Sequence, residues 1–309
     1  MALITARLIA MAAVTFFMVS SISALPVMSA SPEHDINGLT AIELAKVRGE
    51  VGIAMVNTTS KKQYLLNQNK PYPMQSVCKL PISIGILRLA DAGKLSLQDK
   101  VTVSRKDLVP YHSPIKEAIK GEQSDFTIRD LMTRAICDSD NTACDLLISR
   151  AGGAGAVTRL LTEAGVKGVR VDRPEGTLQP ESLHIAKYLV DPRDTATPEG
   201  MIDMLQKLHS GELLSKASTA LLLADLFNCK TGPGRLKAGL PAGWKLAHKT
   251  GTGADVAGQN TATNDVGVMV GPRGETIYIA VFTKGSRAKI AVRERLMATV
   301  AAKAAAGEL

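Results

Sequence analysis

Segments that favour β-strands occupy both ends of the chain, and segments that favour helices lie between them. Near the start, apolar runs at residues 51–56 and 64–66 flank a polar turn, which is the pattern of a strand pair. Near the end, strand-like runs cover residues 244–247, 266–270 and 276–283. We therefore predict one antiparallel sheet built from both chain ends, with a helical subdomain inserted between them.

Apolar residues in the middle of the chain recur at helical spacing. Helices are predicted over residues 80–89, 127–150 with a break at 138–141, 156–164, 198–210 and 216–226, with further helices at 38–46 and 293–305. The expected fold is α/β: an antiparallel sheet flanked by helices, with the active site between the sheet and an all-α subdomain. The α/β part is expected at about 31–68 and 229–309, and the helical part at about 69–228.

The first thirty residues differ from the rest. They carry one charge, Arg7, and an apolar stretch at 8–19 that serines and small residues follow. This is the layout of a secretory signal peptide, with cleavage after Ala24 or Ala30. A membrane anchor is the alternative, but the apolar run is short for one. We predict a signal peptide at 1–30 and a periplasmic or secreted protein.

Charge and aromatic content argue against a nucleic-acid partner. The net charge of +8 comes from scattered lysines and arginines, which indicates a mildly cationic surface that steers small anions. Aromatic residues make up only 4%, so few side chains are available to stack on single-stranded bases.

Cysteines and histidines show no disulfide or metal-binding spacing. The cysteines are Cys78, Cys137, Cys144 and Cys229, and they form no disulfide framework. Whether Cys78 and Cys137 pair stays open. The five histidines lie far apart, without the spacing of zinc ligands. We expect no metal and no organic cofactor.

Three short motifs follow one another in the chain: S-x-x-K at 76–79, S-D-N at 139–141 and K-T-G at 249–251. Ser76 lies where a helix is predicted to begin, and Lys79 falls one turn later on the same face. A serine becomes a nucleophile when a base removes its proton, and a desolvated lysine near other cations can lose its own proton near neutral pH. Alone, the pair could be a helix cap and a solvated charge; the ordered set favours catalysis.

The other two motifs suit the same cleft. Ser139 lies in a helix break, where it is either a turn cap or a hydroxyl that faces the cleft. Gly251 and Gly253 would let a ligand approach the strand edge. The backbone amides of Ser76 and Thr252 are candidate oxyanion-hole donors.

The three motifs match the set found in serine β-lactamases and penicillin-binding proteins. Residues 173–179, Arg-Pro-Glu-Gly-Thr-Leu-Gln, resemble the R-x-E-x-x-L-N segment of the class A β-lactamase Ω-loop. The resemblance to class A β-lactamases covers about residues 38–305. It implies a salt bridge between Arg173 and Asp194 at the neck of this loop.

The resemblance also implies a role for each site residue. Ser76 is the nucleophile, Ser139 relays a proton to the ring nitrogen, and either Lys79 or Glu175 through a water takes the serine proton. Glu175 then activates the deacylating water. The implied catalytic residues are Ser76, Lys79, Ser139 and Glu175, and the implied substrate-binding residues are Tyr111, Asn141, Gln179, Arg235, Lys249, Thr250 and Thr252.

The chain departs from the family in the Ω-loop. Gln179 stands where the family usually has an asparagine that holds the water, and the segment from there to Asp194 is longer than usual. Residues 254–262 also look lengthened. Gly176 follows the glutamate where a cis bond is common in the family, so we expect a cis bond between Glu175 and Gly176.

These residues predict a class A-like serine β-lactamase that acts through an acyl-enzyme on Ser76. The expected partner is a small-molecule β-lactam, and the protein is expected to be a monomer without nucleic-acid or membrane contacts after signal cleavage. The alternatives are a D-Ala-D-Ala peptidase and a β-lactam sensor that acylates without efficient turnover.

Overall fold

The computed structural model describes residues 41–178 and 184–309. The predicted signal peptide and Gln179 lie outside the described residues. Among the described helices, none has the length and apolarity to cross a membrane.

The helices and strands follow the predicted order, with short additions. The helices are α1 Ala41–Lys46, α2 Lys79–Asp91, α3 Ile128–Cys137, α4 Asn141–Arg150, α5 Ala154–Glu163, α6 Ile185–Val190, α7 Pro198–His209, α8 Lys216–Phe227 and α9 Ile290–Ala306. The strands are β1 Glu50–Asn57, β2 Gln63–Leu66, β3 Tyr72–Pro73, β4 Lys100–Ser104, β5 Gln123–Thr127, β6 Thr195–Ala196, β7 Lys245–Thr252, β8 Asp255–Val256, β9 Gln259–Asn260, β10 Thr263–Val270 and β11 Thr276–Lys284.

One five-stranded sheet joins the two ends of the chain. Its order is β2-β1-β11-β10-β7, and all of its pairings are antiparallel. In the centre, Ile53 of β1 is opposite Val281 of β11. The predicted antiparallel sheet from both ends is therefore confirmed, and β7, which carries the K-T-G motif, is an edge strand.

Both faces of the sheet are covered by apolar side chains. On β1, Ala54 faces the cluster that contains the α2 and α3 side chains, whereas Ile53 and Met55 face the cluster that contains the α9 side chains. Because neighbouring residues of a strand point to opposite faces, burial on both sides requires a continuous apolar run. This explains why the central strands were recognisable in the sequence.

Helix α2 runs through the larger of these two clusters, and its first nine residues, Lys79 to Leu87, are buried. A helix that is apolar on all sides is a buried one. Pro81 lies in its first turn, where no intrahelical hydrogen bond is lost. The beginning of α2, which follows Ser76 directly, is therefore held rigidly by its surroundings.

Candidate active site

Lys79 is the centre of a buried hydrogen-bond cluster. Its ammonium donates to Oγ of Ser76 at 2.7 Å, to Oδ1 of Asn141 at 2.9 Å and to Oε1 of Glu175. The lysine side chain is 0% exposed. The S-x-x-K motif, the S-D-N motif and the Ω-loop glutamate, far apart in sequence, thus converge on one nitrogen.

The sequence allows a Lys79 that loses its proton near neutral pH, and the structure favours the protonated form. Burial alone would lower the pKa of Lys79, but the negative charge of Glu175 raises it above its ordinary value. Lys79 is therefore a protonated donor in the free protein. The lysine cannot accept the Ser76 proton until it has passed one of its own to another group.

Glu175 lies in a short 3-10 turn, Glu175–Thr177, and is 4% exposed. The described residues contain no cis peptide bond, so the predicted cis bond between Glu175 and Gly176 is wrong. The trans turn directs the amide of Glu175 to Oδ1 of Asp145 at 2.6 Å and that of Gly176 to Oδ2 at 3.1 Å. A trans peptide also avoids the cost of about 2.5–4 kcal/mol of a non-proline cis bond.

Asp145 is a site residue that the sequence reasoning missed. It lies four residues after Asn141 on α4, so the two share a helix face, and that spacing was the available signal. Burial raises the pKa of Asp145 to about 6, although the amides of Gly176 and Glu175 oppose the shift. Its carboxylate fixes the backbone that carries Glu175.

Replacing Asp145 with asparagine is expected to destabilise this turn. The amide side chain offers one acceptor oxygen in place of two, so one buried N–H loses its partner. We expect the free energy of unfolding to fall by about 1–3 kcal/mol, measured by urea denaturation. A loss below about 0.5 kcal/mol, the level of an ordinary surface substitution, would contradict the assignment.

Lys249 and Ser139 form a second buried pair. Ser139 adopts a left-handed φ of 59° in the turn between α3 and α4, and its hydroxyl accepts from Nζ of Lys249 at 2.9 Å. The same ammonium donates to the carbonyl of Thr250 at 3.0 Å. Burial lowers the pKa of Lys249 to about 8. The pair joins the S-D-N turn to the K-T-G strand.

The S-D-N turn also orders the loop before it. Asp140 caps α4 by accepting from the amide of Ala143, and the amide of Asn141 donates to the carbonyl of His112 at 2.8 Å. Tyr111 precedes that histidine, adopts a φ of 73° and is 67% exposed. The structure thus places the Tyr111 backbone next to Asn141 and leaves its ring exposed.

The open edge of β7 lies against the segment that carries Ser76. Gly253 donates its amide to Ala262 at 2.8 Å, and antiparallel pairing alternates, so the amide of Thr252 points to the open edge. That Gly251 and Gly253 let a ligand approach this edge stays a prediction, and the structure gives a further reason for glycine at both positions. A Cβ at these two positions would collide with the carbonyl oxygen of Met74 and the side chain of Thr261, which belong to the protein itself.

Arg235 is buried behind the end of β7, so it is not a surface residue. Its guanidinium donates to the carbonyls of Gly251 at 3.1 Å and Asn264 at 2.9 Å. It also donates to Oγ1 of Thr252 at 2.6 Å, and Nε lies 3.3 Å from Glu294. These contacts place a positive charge directly beside the Thr252 hydroxyl.

The predicted salt bridge at the neck of the Ω-loop is confirmed. Nε of Arg173 donates to Oδ2 of Asp194 at 2.6 Å. Oδ1 of Asp194 accepts from the amides of Asp172 and Arg173 at 2.7 and 2.9 Å. Asp194 therefore ties both ends of the loop together.

The expected result of replacing Asp194 with alanine is a loss of about 3 kcal/mol in the free energy of unfolding. The change leaves two amides without their acceptor and removes the nearer of two carboxylates beside Arg173, the other being Asp191 at 3.6 Å. Urea denaturation measures the loss. Asp203→Asn is the control, since its contact with Lys207 is a more exposed i,i+4 pair worth about 0.5 kcal/mol. Equal losses in the two variants would contradict the role of Asp194.

The Ω-loop contributes Tyr188 to the site, which the sequence reasoning did not assign. Its hydroxyl accepts from Nε2 of Gln75 at 2.5 Å, the residue directly before Ser76. Gln75 itself adopts a left-handed φ of 50°. A contact between residues 113 positions apart carries no local sequence signal.

None of the four cysteines is in a disulfide, so Cys78 and Cys137 do not pair in this structure. The thiol of Cys78 donates to Oε1 of Glu175 at 3.6 Å. Within the described part of the chain, Cys78, Cys144 and Glu175 are the group whose ligand atoms lie close enough to hold a metal ion, within 4.8 Å of one another. The Lys79 ammonium already provides a cation for Glu175 there.

Comparisons with known proteins identify the family of this chain. The model of the beta-lactamase enzyme family matches residues 32–306. The extended-spectrum β-lactamase PER-1 of Pseudomonas aeruginosa is 34% identical over 263 residues, which cover 85% of this chain and 83% of that protein. The chain belongs to the class A β-lactamase family.

Solved structures of this family have the same fold. A β-lactamase from Chitinophaga pinensis is 33% identical, with a TM-score of 0.77 over 86% of this chain and 97% of that one. An ancestral class A β-lactamase gives the same identity, TM-score and coverage. The mixed fold predicted from the sequence is therefore the class A β-lactamase fold.

Proposed function

We propose that this protein hydrolyses β-lactam antibiotics through an acyl-enzyme on Ser76. The observation that carries the proposal is the Lys79 ammonium, which contacts both the Ser76 hydroxyl and the Glu175 carboxylate. One nitrogen is thereby placed between a nucleophile and a base. The names of the relatives as β-lactamases support the same reaction.

The contacts of Lys79 suggest the proton path of acylation. Lys79 passes a proton to Glu175 and, now neutral, accepts the proton of Ser76 as the hydroxyl attacks the lactam carbonyl. The net transfer runs from the serine to the glutamate. This path uses both candidate bases, because the charge of Glu175 keeps the lysine protonated at rest.

The oxyanion-hole amides stabilise the tetrahedral intermediate, and the pair of Lys249 and Ser139 assists its breakdown. The amides of Ser76 and Thr252 stabilise the oxyanion. Ser139 donates a proton to the departing ring nitrogen, and the Lys249 ammonium, 2.9 Å away, supports that transfer because it stabilises negative charge on the Ser139 oxygen.

Glu175 serves as the general base of deacylation. When Ser139 has given its proton to the ring nitrogen, the proton held by Glu175 replaces it on Ser139. The glutamate, again a carboxylate, then takes a proton from the water that attacks the ester. The Asp145 contacts hold its backbone in place for this step. The water-holding role of Gln179 stays a prediction.

The remaining residues bind the substrate. Asn141 accepts from Lys79 through its oxygen, and we assign its amide group to the substrate's side-chain amide. Thr250 and Lys249 receive the substrate carboxylate, and Arg235 adds positive charge beside Thr252. The exposed ring of Tyr111 forms a wall of the cleft.

We further propose that the protein is exported by the signal peptide at 1–30 and acts as a monomer in the periplasm or outside the cell. The layout of charge, apolar stretch and small residues supports export. Immunoblotting of periplasmic and cytoplasmic fractions tests this, and a protein that stays in the cytoplasm at full length would contradict it.

The test of the proposed function compares two substrates at equal concentration. The purified protein is expected to open the ring of a penicillin, which is monitored as a loss of ultraviolet absorbance. It is expected to release no free D-alanine from an acylated D-Ala-D-Ala peptide. Release of D-alanine without penicillin turnover would support a peptidase instead.

A further inference from the structure

Behind the K-T-G strand, three buried side chains form a line that the proposed reaction does not use: Cys229, His248 and Asp265. Nδ1 of His248 lies 2.8 Å from Oδ1 of Asp265. The other ring nitrogen has no hydrogen-bond partner among the described residues, and the charges of His248 and Cys229 influence each other. Cys229 and His248 are 3% and 1% exposed, so the sulfur is shielded from solvent.

The surroundings of Cys229 favour a thiolate. Burial alone would raise the pKa of the thiol, but the nearby His248 and the positive charge of Lys249 lower it to about 6. Burial also opposes the charge of His248, yet the carboxylate of Asp265 raises the pKa of the imidazole to about 10. A thiolate beside an imidazolium is a known form of a low-pKa cysteine.

Two threonine hydroxyls connect Cys229 to the strand that faces the cleft. Oγ1 of Thr231 lies 3.3 Å from Sγ of Cys229 and 2.5 Å from Oγ1 of Thr250. Each hydroxyl carries one hydrogen and can donate it once. A thiolate at Cys229 therefore fixes the direction of both donations, whereas a thiol permits the opposite direction.

A thiolate is only an acceptor. With a thiolate at Cys229, Thr231 donates to the sulfur and Thr250 donates to Thr231, so the hydrogen of Thr250 points away from a ligand. With a thiol, the S–H can donate to Thr231, and Thr231 can then donate to Thr250. The hydrogen of Thr250 is then available to a ligand carboxylate.

We propose that Cys229 is a positioning residue that couples binding of the substrate carboxylate at Thr250 to a proton on the sulfur. The inference rests on the proposed function, because it concerns the carboxylate site of that reaction. One proton moves between the sulfur and solvent, and two hydroxyls rotate. A rise in pH removes this proton, turns Thr250 away from the carboxylate and raises KM, whereas kcat depends on Ser76 and Glu175.

The groups that surround Cys229 do not explain a rise of KM around pH 6. The charged and titratable groups around Cys229 are His248, Lys249, Asp265, Cys137, Asp225, Lys230 and Asp138. Burial raises the pKa of Cys137 to about 12, and that of Lys249 is about 8. Asp225 is held by Arg129, and Lys230 pairs with Asp138 at 2.7 Å.

The first measurement is the ultraviolet absorbance of the thiolate in the full protein without substrate, between about pH 5 and pH 8. The unsubstituted protein and the matched control Cys137→Ser are expected to titrate a thiolate with a midpoint near pH 6. Cys229→Ser is expected to lack that transition. A flat signal in the unsubstituted protein would overturn the inference.

The second measurement is the pH dependence of KM and kcat for a penicillin and for its methyl ester. KM for the acid is expected to rise about tenfold across the transition, the effect of losing one hydrogen bond to a charged group, with kcat little changed. The ester, which has no carboxylate, shows no rise. Neither Cys229→Ser nor Cys229→Ala is expected to show a rise of KM with pH, since neither new side chain ionises. The alanine variant is included in case the serine variant does not fold.

The outcomes separate the two proposals. The same rise of KM with pH in the Cys229 variants as in the unsubstituted protein would overturn this inference and leave the proposed function intact. A protein that titrates the thiolate but hydrolyses no penicillin would overturn the proposed function and, with it, the coupling.

Discussion

Replacing Ser76 with alanine is expected to lower kcat for a penicillin by roughly 10⁴- to 10⁶-fold, the range seen when a nucleophile is removed from a hydrolase. The covalent step needs an oxygen at this position, and the Lys79 ammonium lies 2.7 Å from it. Intact-protein mass spectrometry of an acid-quenched reaction should also show no adduct. Steady-state hydrolysis gives the rate.

Ser83 provides a matched control on the same helix. It is fully buried, and its hydroxyl has no hydrogen-bond partner among the described residues. Ser83→Ala removes an unsatisfied buried hydroxyl, so it should keep both activity and stability. Turnover by Ser76→Ala within tenfold of the rate of the unsubstituted protein would mean that another residue forms the acyl-enzyme.

Replacing Glu175 with glutamine is expected to arrest the reaction at the acyl-enzyme. The amide cannot serve as the base for water, so deacylation should slow by about 10²- to 10⁴-fold, the usual contribution of a general base. Acylation continues, because loss of the glutamate charge that raises the pKa of Lys79 lets the lysine serve as a base. Mass spectrometry should show the full mass of the penicillin on the protein.

An exposed glutamate serves as the control for this variant. Glu163→Gln changes the same chemical group at the end of α5 on the surface and should leave turnover unchanged. If Glu175→Gln turned over at the unsubstituted rate, or gave neither turnover nor adduct while folded, the glutamate would not be the deacylating base.

The sheet was predictable from the sequence because its central strands are buried on both faces. Residues 266–270 of β10 and most of β11 read as apolar runs, and each strand was found within a few residues of its predicted position. The pairs β3–β6, β4–β5 and β8–β9 were missed. The strands β3, β6, β8 and β9 have two residues each, too few to show a period.

The site residues were predictable where a motif fixes them locally. Ser76 and Lys79 are one helical turn apart, so their contact follows from spacing. The contacts of Arg235 with the end of β7 and of Asp145 with the Ω-loop depend on how distant segments pack. The trans peptide after Glu175 is an example. The amides on both sides of Glu175 donate to the Asp145 carboxylate on α4, and this contact between distant segments could not be predicted from the local sequence.

The central claim is that this protein turns over β-lactams, and a count of product equivalents tests it most directly. The purified mature chain is mixed with a large excess of a chromogenic cephalosporin, and the hydrolysed equivalents per protein are followed in time. The account predicts steady hydrolysis of many equivalents. A burst that stops near one equivalent would contradict it, because Ser76 would then acylate without the deacylation assigned to Glu175.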